Sequence, residues 1–142
     1  MLFGKAAPIL KRVLIVEDEP LVAFDNEHFL TGEGHEVVAT VDTEAEALRI
    51  LHAQSGGDPI DLVLADVRLH AGSGIEVARA AGKTGVPVIF VTGECPIDAR
   101  ALAVGCLAKP YAQRDLADAI AAAGAKLKGK KVKRVPGGFR LF

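Results

Sequence analysis

The chain lacks three things at once. It has no acidic residue after Asp118, no long uncharged apolar run, and no pair of cysteines spaced CxxC. Nothing in it approaches the ~18 consecutive apolar residues of a membrane span, so no membrane insertion is expected. Its start, MLFGKAAPILKR, lacks the basic segment, apolar block and cleavage site of a secretory signal, which points to a cytoplasmic protein. Cys95 and Cys106 are expected to be a loop thiol and a small buried hydrophobe. The four histidines make no metal-ligand spacing, and NEHFL (Asn26–Leu30) is not HExxH. No G-x-S-x-G elbow suggests acyl transfer. GKT at Gly82–Thr84 lacks the partner glycine of a phosphate loop, because Val77 stands in that place. GEG at Gly32–Gly34 follows a helical stretch, so it reads as a helix ending and not as a dinucleotide fingerprint.

The missing acids expose a charge asymmetry. Seven of the 17 basic residues, Lys126, Lys128, Lys130, Lys131, Lys133, Arg134 and Arg140, lie in the acid-free end, which leaves the body at about −8. The body should repel nucleic acid, so nucleic acid is an unexpected partner except through this end. Composition divides the chain into an N-terminal extension (1–11), a body (12–127) and a basic tail (128–142). Three readings of the tail stand side by side. It is a solvated terminus, a docking arm for an acidic partner or for its own acidic body, or a contact for nucleic acid, an anionic membrane or a nucleotide. Val132, Val135, Phe139, Leu141 and Phe142 interrupt the charges, so the end can pack as well as float.

Within the body, five apolar strand candidates alternate with five helical stretches. RVLIV (Arg12–Val16) precedes a helix carrying Leu21, Val22, Phe24, His28, Phe29 and Leu30. EVVATV (Glu36–Val41) precedes a helix that Asp42 or Thr43 caps, with Glu46 at capping-box distance from Thr43. LVLA leads through GSG into IEVARAAG. VPVIFV (Val86–Val91) is followed by a short, weak helical stretch, and CLA by KPY and a long alanine-rich helix. Strands alternating with helices imply a parallel sheet in an α/β fold. Right-handed crossovers then place every strand's C-terminal end on one rim, where open α/β sheets bind their ligands.

That rim collects chemistry. The first strand ends in Glu17, Asp18 and Glu19, the third in Asp66, the fourth in Thr92 and Gly93, and the fifth in Lys109 and Pro110. Two carboxylates ~4 Å apart repel by roughly 4 kcal/mol at an effective dielectric near 20, so crowding Glu17, Asp18 and Asp66 requires a cation. Lys109 neutralises one of them but not the set. Hard oxygen donors with room for water suit Mg²⁺. A carboxylate beside Mg²⁺ can act as a nucleophile and become an aspartyl phosphate, with Thr92 and Lys109 suited to the phosphoryl oxygens. A flavin-binding relative would need a hydroxyl-rich phosphate loop after the first strand, where EDEP stands instead.

LIVEDEP, VLADVRL with Gly74 eight residues after its acid, VTG and KPY occur in that order between about Arg12 and Leu127. Together they resemble the receiver domain of two-component response regulators. The resemblance implies a flavodoxin-like, doubly wound, five-stranded parallel sheet of order 2-1-3-4-5, here with a shortened fourth helix. It implies Asp66 as phosphoacceptor, with a sensor histidine kinase or histidine phosphotransfer protein as donor. Asp18 would be a direct Mg²⁺ ligand, Glu17 a ligand through water and Arg68 a ligand through its backbone carbonyl. Thr92 and Lys109 would bind phosphoryl oxygens, and Lys109-Pro110 would be a cis peptide. Two positions depart from the family pattern. Cys106 stands where an aromatic switch residue is usual, three places before the lysine, and His70 stands where proline is frequent. FVTGE (Phe90–Glu94) is similar to the Phe-Ala-Thr-Gly motif of an atypical subgroup known from alphaproteobacterial stress signalling. No second domain is apparent, so the expected output is binding, to an output protein or to a second copy as a homodimer. The expected surface is that of the fourth helix, fifth strand and fifth helix. The protein is expected not to be an enzyme beyond slow self-dephosphorylation. The rival reading is a receiver-shaped scaffold or dimerisation module that acts without phosphate.

Overall fold

The computed structural model describes residues 7–54, 57 and 59–142; the first six residues of the N-terminal extension lie outside them. Eleven elements follow one another among the described residues: β1 (Arg12–Val16), α1 (Pro20–Gly32), β2 (Glu36–Val41), α2 (Glu44–His52), β3 (Leu62–Ala65), α3 (Gly74–Lys83), β4 (Val88–Thr92), α4 (Ala99–Leu102), β5 (Gly105–Ala108), α5 (Gln113–Leu127) and β6 (Phe139–Leu141). They build one sheet of order β2-β1-β3-β4-β5-β6, in which the first five strands are parallel. The order 2-1-3-4-5 is that expected of a flavodoxin-like fold, and the fourth helix is short, as expected of this chain. The sixth strand is not among those expectations. It lies in the segment set apart as a tail and pairs antiparallel with β5.

Successive residues of a strand point to opposite faces, and both faces of this sheet are covered, which is why its strands read as unbroken apolar runs. Leu14, Val16, Val63, Ala65, Val88, Phe90 and Cys106 pack on one side with α2, α3 and α4. Val13, Ile15, Leu62, Leu64, Ile89, Val91 and Leu107 pack on the other with α1 and α5.

Local signals account for the helix starts. Thr43, not Asp42, caps α2, its hydroxyl accepting the Glu46 N–H at 3.1 Å, and Ser73 caps α3 by accepting the Ile75 N–H at 3.1 Å. GKT forms the last residues and cap of α3, with the Thr84 hydroxyl donating to the Ala81 carbonyl. In α1 the apolar residues do not form one buried stripe. Leu21 and Phe24 are 79% and 68% exposed, while Asn26 is buried and hydrogen-bonds the Tyr111 hydroxyl at 2.8 Å. No described helix is long and apolar enough to cross a membrane.

Candidate functional site

Parallel pairing brings the acids together. The register sets Val16 beside Ala65, so Glu17 and Asp66 leave adjacent strand ends. The Asp66 N–H donates to the Val16 carbonyl at 3.0 Å. Gly74 completes the support. A Cβ there would lie 2.0 Å from the Asp66 carbonyl oxygen, so only glycine lets α3 start against the acid's own backbone. Across the rim, the Lys109 N–H donates to the Thr92 carbonyl at 2.8 Å, joining the ends of β4 and β5. The Lys109-Pro110 peptide is cis.

The Lys109 ammonium is the hub. Its Nζ lies 2.8 Å from Glu17, 2.9 Å from Glu19 and 2.9 Å from Asp66. Glu17 and Asp66 are buried polar groups. Burial penalises the charged lysine, but its hydrogen bonds to Glu17, Asp66 and Glu19 outweigh that and hold its pKa well above the ordinary lysine range. Glu17 moves the other way for an acid. Burial raises its pKa, and the lysine contact and the Glu19 N–H recover only part of the penalty. One ammonium thus serves three carboxylates, and the cluster keeps a negative excess.

The remaining candidates line the same cavity, of about 590 Å³, with Asp18, Glu19, Asp66, Arg68, Thr92 and Lys109 in its wall. The Asp18 carboxylate is engaged by His70, whose backbone N–H donates to Oδ2 at 2.5 Å and whose Nδ1 lies 2.9 Å away. The Arg68 N–H donates to Asp66 Oδ1 at 3.2 Å. The Thr92 hydroxyl turns back on its own loop and donates to the Glu94 carbonyl at 3.3 Å.

Ligand oxygens of Glu17, Glu19 and Asp66 all lie within 4.8 Å of one another. Three hard anionic donors with a single ammonium among them fit a divalent cation that prefers oxygen. Glu19 was absent from the expected ligand set although it adjoins Glu17 and Asp18. The run EDE was the signal that could have found it. Near the rim, Cys106 is buried against Cys95, and burial first, then its thiol neighbour, push its pKa up to about 12, which makes it inert.

Comparison with known proteins gives one family. Residues 13–121 match the response regulator receiver domain. The chain is 43% identical over 89 residues to the phyllosphere-induced regulator PhyR of Methylorubrum extorquens, covering 61% of this chain and 32% of that protein. It is 34% identical over 122 residues to the transcriptional regulatory protein PdtaR of Mycobacterium tuberculosis, covering 80% of this chain and 57% of that one. The chain therefore spans about a third to somewhat over half of these relatives. In structure it is similar to a CheY-like receiver domain protein of Methanospirillum hungatei, with a TM-score of 0.72 at 28% identity over 84% of this chain and 98% of the other.

Proposed function

Because the chain belongs to the response regulator receiver domain family of two-component signalling, we propose that it accepts a phosphoryl group on Asp66 and signals by binding. Membership implies a kinase partner in general. The finer reading is a sensor histidine kinase or a histidine phosphotransfer protein. A carboxylate oxygen of Asp66 forms the new P–O bond while the P–N bond to the donor histidine breaks, and that histidine leaves with the electron pair and takes up a proton. Bound Mg²⁺ would supply positive charge for the crowded anions. Glu17, Asp18, Asp66 and the Arg68 carbonyl would hold it, with Glu19 the further acid within reach.

The chain's own residues do the rest. The Arg68 N–H fixes one Asp66 oxygen and so orients the other. Lys109 follows the charge from the free carboxylate to the phosphoryl oxygens, and Thr92 gives up its loop contact to donate to them. A transferring phosphoryl group needs positioning and charge stabilisation more than covalent help, and this donor set is of that kind. Phe90, Thr92 and Gly93, with the similarity to PhyR, support placement in the Phe-Ala-Thr-Gly subgroup.

The observation that carries the reading is Lys109 bridging Glu17, Glu19 and Asp66 at the mouth of a buried parallel sheet. The test is intact-mass spectrometry after incubation with acetyl phosphate and Mg²⁺. One base-labile phosphoryl group is expected on the wild type and none on Asp66→Ala. Equal labelling of both would refute the assignment.

A further inference from the structure

Two neighbouring amides, the last of β5 and the one after it, face different masters. The Lys109 N–H donates to the Thr92 carbonyl at 2.8 Å, on the rim of the acidic cavity. The Ala108 N–H donates to the Gly138 carbonyl at 2.9 Å, where the C-terminal segment begins its strand. Beyond that bond β6 lies along the outer edge of β5, Leu107 facing Phe139, Cys106 facing Arg140 and Gly105 facing Leu141.

The seat is made for this segment. A Cβ at Gly105 would lie 2.4 Å from the Phe139 ring, so the missing side chain is the space the ring fills. Phe142 follows on the opposite face. Its N–H donates to the Val104 carbonyl at 3.0 Å. It packs against the core cluster that holds Ala99 and Cys106, as Cys95 and Leu102 also do. The guanidinium carbons of Arg100 and Arg140 lie 5.3 and 5.4 Å from its ring centroid. Lys126 of α5 hydrogen-bonds the Phe142 main-chain oxygen. The last four residues thus cover the flank of α4, the edge of β5 and the end of α5. The connection behind them, Lys128–Lys131, is exposed and densely basic, and three residues of strand are little to hold it.

We propose that the β5 edge and α4 flank form an interaction surface for an extended antiparallel strand with an aromatic residue opposite the Gly105 notch, that residues 139–142 occupy it at rest, and that phosphorylation of Asp66 releases them. This rests on the phosphoacceptor reading. The route is short. Phosphorylating Asp66 turns the charged oxygen that Lys109 holds into the uncharged bridge of an acyl phosphate, Lys109 and Thr92 move to the new group, and the adjoining peptide carries the shift to the Ala108–Gly138 bond. Cys95, in the loop after Thr92, packs in the same cluster as Phe142 and gives a side-chain route beside the backbone one. A released end frees an edge that takes a strand of like pattern by main-chain pairing.

The experiment uses the whole chain treated with acetyl phosphate and Mg²⁺, its phosphorylation read by intact mass, with Asp66→Asn treated alongside. Hydrogen exchange at the amides of residues 139–142 should quicken by about five-fold or more in the phosphorylated chain alone, the lower end of ordinary coupling between two sites. A labelled peptide of residues 136–142 should bind the phosphorylated chain tighter by a similar factor. If the mass shows one phosphoryl group and either readout stays at its resting value, the latch is wrong while the acceptor assignment stands. If no phosphoryl group is taken up, both fall.

Discussion

The acidic rim and the C-terminal clasp lie at opposite sides of one strand, and they are held by different physics. At the rim, Glu17, Glu19 and Asp66 repel one another and stay together because Lys109 serves them all. At the clasp the contacts are aromatic packing, cation–π and main-chain pairing. Phe139 fills the Gly105 notch, and two guanidinium groups lie 5.3 and 5.4 Å from the centre of the Phe142 ring. The rim is under tension that a ligand can relieve, whereas the clasp is satisfied as it stands. Chemistry belongs to the first and closure to the second.

Substitutions should separate them. Lys109→Ala strikes the rim hardest. Phosphoryl uptake from acetyl phosphate should fall by about a hundred-fold, as when one donor to a developing oxyanion is lost, followed by mass spectrometry over time. Gly105→Ala strikes the clasp. Its methyl collides with the Phe139 ring, so stability should drop by about 1–3 kcal/mol in urea titration while uptake at Asp66 is retained. Loss of uptake in that variant would mean that the two regions are one unit. Phe142→Ala is milder, at about 1 kcal/mol, because its cation–π contacts are partly solvated.

The smallest effect lies away from both regions and serves as a control. His35 is buried with Nδ1 2.8 Å from the Leu10 carbonyl, and burial holds its pKa below the ordinary 6.5. Below pH 6.5 the unfolded chain takes up a proton that the folded chain resists, so this contribution is complete above 6.5 and is lost as pH falls toward the folded value. The urea midpoint should decline over that interval in the wild type and less in His35→Asn.

The rim was legible in the sequence because its residues are chemically loud: acids, a hydroxyl and a lysine, each closing an apolar run. Parallel topology then gathered them without further information. Glu19 escaped because adjacency in sequence does not tell which acids of EDE reach the lysine, and Glu19 does so from an exposed place. The exposed Leu21 and Phe24 of α1 show the limit of periodicity, since the buried place between them and the next turn goes to Asn26, tied to Tyr111 by a partner far along the chain. The clasp was the least visible feature. A three-residue strand shows no alternation to read, and its aromatics stood in a segment whose lysines suggested solvent. Only the notch at Gly105, formed by the meeting of two distant stretches, explains why Phe139 belongs there.

With β6 in place the sheet ends, among the described residues, on β2 at one border and on a strand of only three residues at the other. Head-to-tail growth into fibres needs two complementary borders on each copy. A three-residue border offers few main-chain groups to a second copy, so strand-by-strand growth is discouraged on that side.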